Sequence, residues 1–87
     1  MARNADVTIL VPKVDYSKLE GRMAEKRHTR KSLAKAIGAS ETALGQWLLK
    51  GKPMHGIVIY AIADRLSIPV EEYPEYFFRY IMEDRAS

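Results

Sequence analysis

Apolar residues recur at Leu33, Ala34 and Ile37, with polar Lys31, Ser32 and Lys35 between them. This is the spacing of a helix with one buried stripe, and it predicts a helix over residues 30–37. Gly38 follows, a residue able to adopt the left-handed backbone on which helices stop. Ser40 then offers a hydroxyl to the free amides that open a new helix. In that second helix Leu44 and Trp47 fall on one side, and Thr42, Gly45, Gln46 and Leu49 on the other. About three residues join the two helices, the length of a helix-turn-helix connection. The small Ala34 permits close approach where they cross.

Before this pair, Tyr16, Leu19 and Met23 form another helical stripe, flanked by Arg22 and Lys26. Asp15 or Ser17 can cap that helix, and S-K-L-E at 17–20 has the form of a capping box. Gly21 inside it costs about 1 kcal/mol relative to alanine, which points to a close helix contact there. After the pair, Lys50-Gly51-Lys52-Pro53 reads as a turn. Pro53 is fit to open a helix over residues 54–66 that buries Ile59, Ile62, Ala63 and Leu66. Ile57, Tyr60 and Ala61 lie on its other side, an apolar surface wider than one core seam needs. Gly56 weakens the start of that helix.

The two ends read less uniquely. Residues 7–11, Val-Thr-Ile-Leu-Val before Pro12, form a short β-branched strand or an arm that orders on a partner. Residues 75–82, E-Y-F-F-R-Y-I-M, are either a helix opened by Pro74 or a strand, and a strand would give residues 7–11 a neighbour. The chain divides into an arm (1–14), a helical domain (15–74) and an aromatic tail (75–87). The arm and tail are expected to pair, within one subunit or across a dimer. Tyr76, Phe77, Phe78 and Tyr80 are the candidate dimer contacts.

Charge sharpens the picture. The net charge is only +3, but residues 18–52 hold nine basic and three acidic side chains, and the remainder five basic and eight acidic. The basic half therefore lies over the two central helices, as suits a polyanionic partner. Eighty-seven residues make one domain, and with 47% apolar residues a core is possible without metal or disulfide. There are no cysteines, which fits a reducing cytoplasm. The apolar run at 7–11 is too short for a membrane span or signal peptide.

The segment L-A-x-x-I-G-x-S at 33–40, followed by Leu44 and Trp47, resembles the Cro and repressor class of bacteriophage regulators. D-Y-S-K-L-E-G-R at 15–22 and I-P-V-E-E-Y-P-E-Y-F-F at 68–78 resemble small Cro-like proteins of Gram-positive prophages. The resemblance covers roughly residues 15–78. It implies a mainly α, lambda-repressor-like domain of about four helices, with a small β-element if arm and tail pair. It also implies a cytoplasmic, nucleoid-associated regulator that binds double-stranded operator DNA as a homodimer, with its second motif helix in the major groove.

By that resemblance Ser40, Glu41, Thr42, Gln46 and Leu49 occupy base-reading positions. Gln46 suits adenine, Thr42 and Leu49 a thymine methyl, and Glu41 cytosine. Glu41 can instead simply favour the positive helix end, and Leu49 can rest against the following turn. Gly45 departs from the usual side chain at its place. Arg30, Lys31, Lys35, Lys50 and Lys52 are candidate phosphate contacts. No enzyme, small-molecule substrate, cofactor or metal is expected: His28 and His55 lack spaced partners, and no nucleophile-elbow or phosphate-loop motif occurs. The competing reading is a protein-interaction module on the same fold, an antitoxin or anti-repressor, with the aromatic tail as its interface.

Overall fold

The computed structural model describes residues 13–81. In chain order these form β1 (Lys13–Val14), α1 (Ser17–Glu25), α2 (Arg30–Ile37), α3 (Glu41–Lys50), α4 (Gly56–Leu66), a 3-10 turn (Val70–Glu72), α5 (Tyr73–Phe77) and β2 (Tyr80–Ile81). The fold is mainly α, with five helices and one two-stranded antiparallel sheet. Lys13 lies opposite Ile81 and Val14 opposite Tyr80, and the Asp15 amide extends the ladder to the Arg79 carbonyl at 2.7 Å. The expected strand at residues 7–11 lies outside the described residues.

Each helix end has a local cause. Thr29 and Ser32 form a reciprocal capping box at the start of α2, and Gly38 ends that helix with φ at 78°. The Ser40 hydroxyl accepts from the Ala43 amide at 3.0 Å, and Gly51, with φ at 69°, ends α3. Three residues, 38–40, thus separate α2 from α3. The predicted box at 17–20 does not form. Instead the Asp15 carboxylate accepts from the Ser17 amide at 2.9 Å, and that hydrogen bond holds the Asp15 carboxyl below its ordinary range. Helix α4 begins at Gly56 rather than residue 54, because His55 is extended and Met54 turns into the core.

Leu19, Leu33, Leu44, Ile62, Leu66 and Phe77 are the largest fully buried side chains. They bring α1, α2, α3, α4 and α5 onto one centre, with Val14 from β1 also buried. The predicted inward stripes hold, and Leu48 joins Leu44 and Trp47 on the inner side of α3. Gly21 meets nothing, since a Cβ there would have no heavy atom within 4 Å. The expected close contact at Gly21 is absent.

Arg22 makes the contact that sews α1 to α4. Its Nε donates to the Leu66 carbonyl at 3.0 Å, and its terminal nitrogen donates to the Ser67 carbonyl at 3.1 Å. These are carbonyls left over at a helix end. Arg65 does the same for α2, donating to the Ala36 carbonyl.

The tail is neither one strand nor one long helix. Pro74 sits in the first turn of α5, where its fixed φ is already helical. The five-residue helix turns both Tyr76 and Phe77 inward, and the chain then straightens into β2. Tyr73 and Phe77 meet edge to face with ring centroids 5.7 Å apart. Lys18 on α1 pairs with Glu75 and lies 5.1 Å from the centre of the Tyr76 ring. Tyr76 and Phe77 therefore belong to the domain's core and not to a separate tail. Tyr76 and Phe77, expected as subunit contacts, are instead buried within this chain, whereas Phe78 and Tyr80 are exposed.

Two stability tests follow from this packing. Phe77→Ala should cost about 3–5 kcal/mol in urea unfolding, whereas Phe78→Ala should cost less than about 1 kcal/mol. The second test concerns Tyr16, whose hydroxyl donates to the Lys52 carbonyl at 2.7 Å. Burial, aided by nearby Tyr80, pushes its phenol up to about 12. A folded pKa above the unfolded value near 10 gives stability that is complete below pH 10 and lost as pH rises through about 12. Unfolding of the wild type and Tyr16→Phe between pH 9 and 12 should show a shallower alkaline decline in the variant.

Candidate nucleic-acid interface

Helix α3 presents two unlike faces. Leu44 and Leu48 are buried and Trp47 is half-buried against the core. Thr42, Gly45, Gln46 and Leu49 recur at three- and four-residue steps on the opposite side. With Arg30, Glu41 and Lys50 they line one open concavity of about 350 Å³. Arg30 is the first residue of α2, so the capping box at Thr29 and Ser32 sets where its side chain starts.

The structure thus brings together six of the residues singled out from the sequence: Arg30, Glu41, Thr42, Gln46, Leu49 and Lys50. Gly45 joins them as part of the lining. Ser40 sits beside the concavity, with its hydroxyl lone pair committed to the Ala43 amide. It retains its proton as a donor but is first of all a cap. Lys31 and Lys35 are exposed on α2, outside the lining. Lys52 is exposed on the turn after α3, and its carbonyl holds Tyr16.

Chemically, the face mixes an amide, a hydroxyl and an isobutyl group between two cations. Those groups suit base edges and flanking phosphates. Glu41 lies in the first turn of α3, where a carboxylate opposes the positive end of the helix dipole. Leu49 is 63% exposed and does not rest against the following turn.

Sequence reasoning missed Thr29 and Ser32: threonine ahead of an apolar stripe is a capping signal, but serine stands where the box usually has Glu or Gln. The Ser32 hydroxyl also meets the His28 Nδ1 at 3.0 Å and accepts from the Thr29 amide. This small network fixes the entry to α2. Among the described residues no group of three His, Cys, Asp or Glu side chains could hold a metal ion. No described helix is long and apolar enough to cross a membrane.

A family model described as "Protein of unknown function (DUF739)" matches residues 13–80. The chain belongs to the DUF739 family. The match runs from the first residue of β1 to the first of β2, so it takes in β1, all five described helices and the start of β2. No curated protein matches the chain. The family's description carries no activity.

The capping role of Ser40 is separable from any reading role. Ser40→Ala should lower unfolding stability by about 1 kcal/mol with no DNA present, as denaturant titration would show.

Proposed function

We propose that this chain is a sequence-specific DNA-binding transcriptional regulator, a Cro-like repressor of a phage or prophage, that reads operator DNA as a homodimer. The observation that carries this reading is the concavity on α3, in which Arg30, Thr42, Gln46, Leu49 and Lys50 share one exposed surface. A helix held by its inner side, with amide, hydroxyl and apolar groups outward, is suited to the major groove. The basic half of the chain spans the same helices. A cytoplasmic, nucleoid-associated location goes with the proposal.

One recognition helix reads too few bases to find a site in a genome. Two copies on a pseudo-palindrome, with half-site centres about 34 Å apart, meet that need. Phe78, Tyr80 and Ile81 supply exposed apolar surface for subunit contact, as do Ile57 and Tyr60 on α4. The same surfaces favour the second reading, an antitoxin or anti-repressor whose partner is a protein. A gel shift with the DNA upstream of its own gene separates the two.

Reading and gripping should come apart by mutation. Gln46→Ala is expected to lose on the order of 1–3 kcal/mol on the true site and little on random DNA. Arg30→Ala should weaken both and reduce the log–log salt slope, roughly −5 for six phosphate contacts in the dimer, by about two, one for each subunit. Equal losses for Gln46→Ala on both kinds of DNA would move it to the backbone class.

A further inference from the structure

Gly45 opens a gap in the middle of the exposed face of α3. Its neighbours along that face are Thr42 one turn before and Leu49 one turn after, with Gln46 beside it. A Cβ built on Gly45 would meet a single atom within 4 Å, the Leu49 Cδ1 at 3.9 Å. That is ordinary van der Waals distance. The glycine therefore leaves the helix surface open at this point, with the exposed isobutyl group of Leu49 as its nearest side chain.

We infer that this gap receives the 5-methyl group of a thymine, with Leu49 as its apolar wall and Gln46 reading an adenine alongside. The inference rests on the DNA-reading proposal and deepens it by naming the base. Among the four bases only thymine carries a methyl group on the major-groove edge, and adenine presents the N6 donor and N7 acceptor that a glutamine amide pairs with. Gln46 and Leu49 are three residues apart on the same exposed face of α3, within one helical turn. Both groups therefore reach one A·T-containing step. Thr42, Arg30 and Lys50 line the same concavity, the two cations being suited to the phosphates.

Exposure distinguishes Leu49 from its neighbour Leu48, which is buried in the core. A leucine that serves packing belongs where Leu48 is. Leu49 contributes an apolar surface to a polar groove, and the glycine four residues earlier keeps that surface uncovered.

The test uses the full-length protein and duplexes selected by it from a random-sequence library. In the enriched site each thymine of one half-site is replaced in turn by deoxyuridine, which removes only the methyl group. Affinity is expected to fall about fourfold at one position, the equivalent of about 0.8 kcal/mol for one buried carbon. Leu49→Ala, a change at an exposed residue, should bind the thymine and deoxyuridine duplexes equally; circular dichroism checks that it folds. Enrichment of a site in which no thymine is sensitive overturns this inference and leaves the DNA-reading proposal standing. A full thymine preference retained by Leu49→Ala overturns it as well. Failure to enrich any sequence overturns both.

Discussion

The close approach of Gly51 to Val14 is the constraint on which the arrangement of the other elements depends. A Cβ at Gly51 would lie 3.1 Å from both the Lys13 Cβ and the Val14 carbonyl oxygen, tighter than side chains normally tolerate. The Val14 amide donates to the Gly51 carbonyl at 2.8 Å across this contact. One residue further on, the Lys52 carbonyl receives the Tyr16 hydroxyl. The left-handed turn that ends α3 is thereby fixed to the strand that begins the described chain. Any side chain at residue 51 would meet both a backbone clash and an unfavourable φ. The orientation of the exposed α3 face follows from this anchor at its far end and from the Ser40 cap at its near end.

Between those two anchors the helix is held by packing. Leu44 and Leu48 insert beneath α3, and Leu33 and Ala34 meet them from α2. Burying each leucine contributes about 1.5–3 kcal/mol, more than any exposed hydrogen bond in the region. The polar face can therefore carry Gly45, a poor helix former, without losing the helix. A cost of about 1 kcal/mol in propensity is small beside two buried leucines.

Much of this was legible in the sequence because helical period and caps are local properties. Leu33, Ala34, Gly38, Ser40 and Leu44 each report their role through spacing or side-chain chemistry within a few residues. The aromatic tail was not legible in the same way. In Y-F-F-R-Y, both a period of two and a period of 3.6 find enough large side chains to be plausible, so the burial of Phe77 and the exposure of Phe78 depend on where α1 lies. Pro74 settles the local conformation, but only the ion pair from Lys18 and the seat beneath Tyr76 show what the short helix packs on. Gly21 misled for the opposite reason. A glycine in a helix admits a close neighbour but does not require one. In the candidate site, Gln46 and Leu49 could be assigned to one face from periodicity, whereas the gap at Gly45 needed the positions of its neighbours.

The helix clamp made by Arg22 changes how the positive charge of the chain should be counted. Of the nine basic residues between 18 and 52, Arg22 is bound to two main-chain carbonyls and Lys18 to a carboxylate. Each also has a carboxylate beside it, Glu25 for Arg22 and Glu75 for Lys18, which offsets its charge locally. The seven that remain, Lys26, Arg27, Arg30, Lys31, Lys35, Lys50 and Lys52, fall at the end of α1, on α2 and around the end of α3. Internal neutralisation of this kind makes a nearly neutral small protein strongly directional: it lowers the general background of charge while leaving one region to orient the molecule in the field of a polyanion before contact.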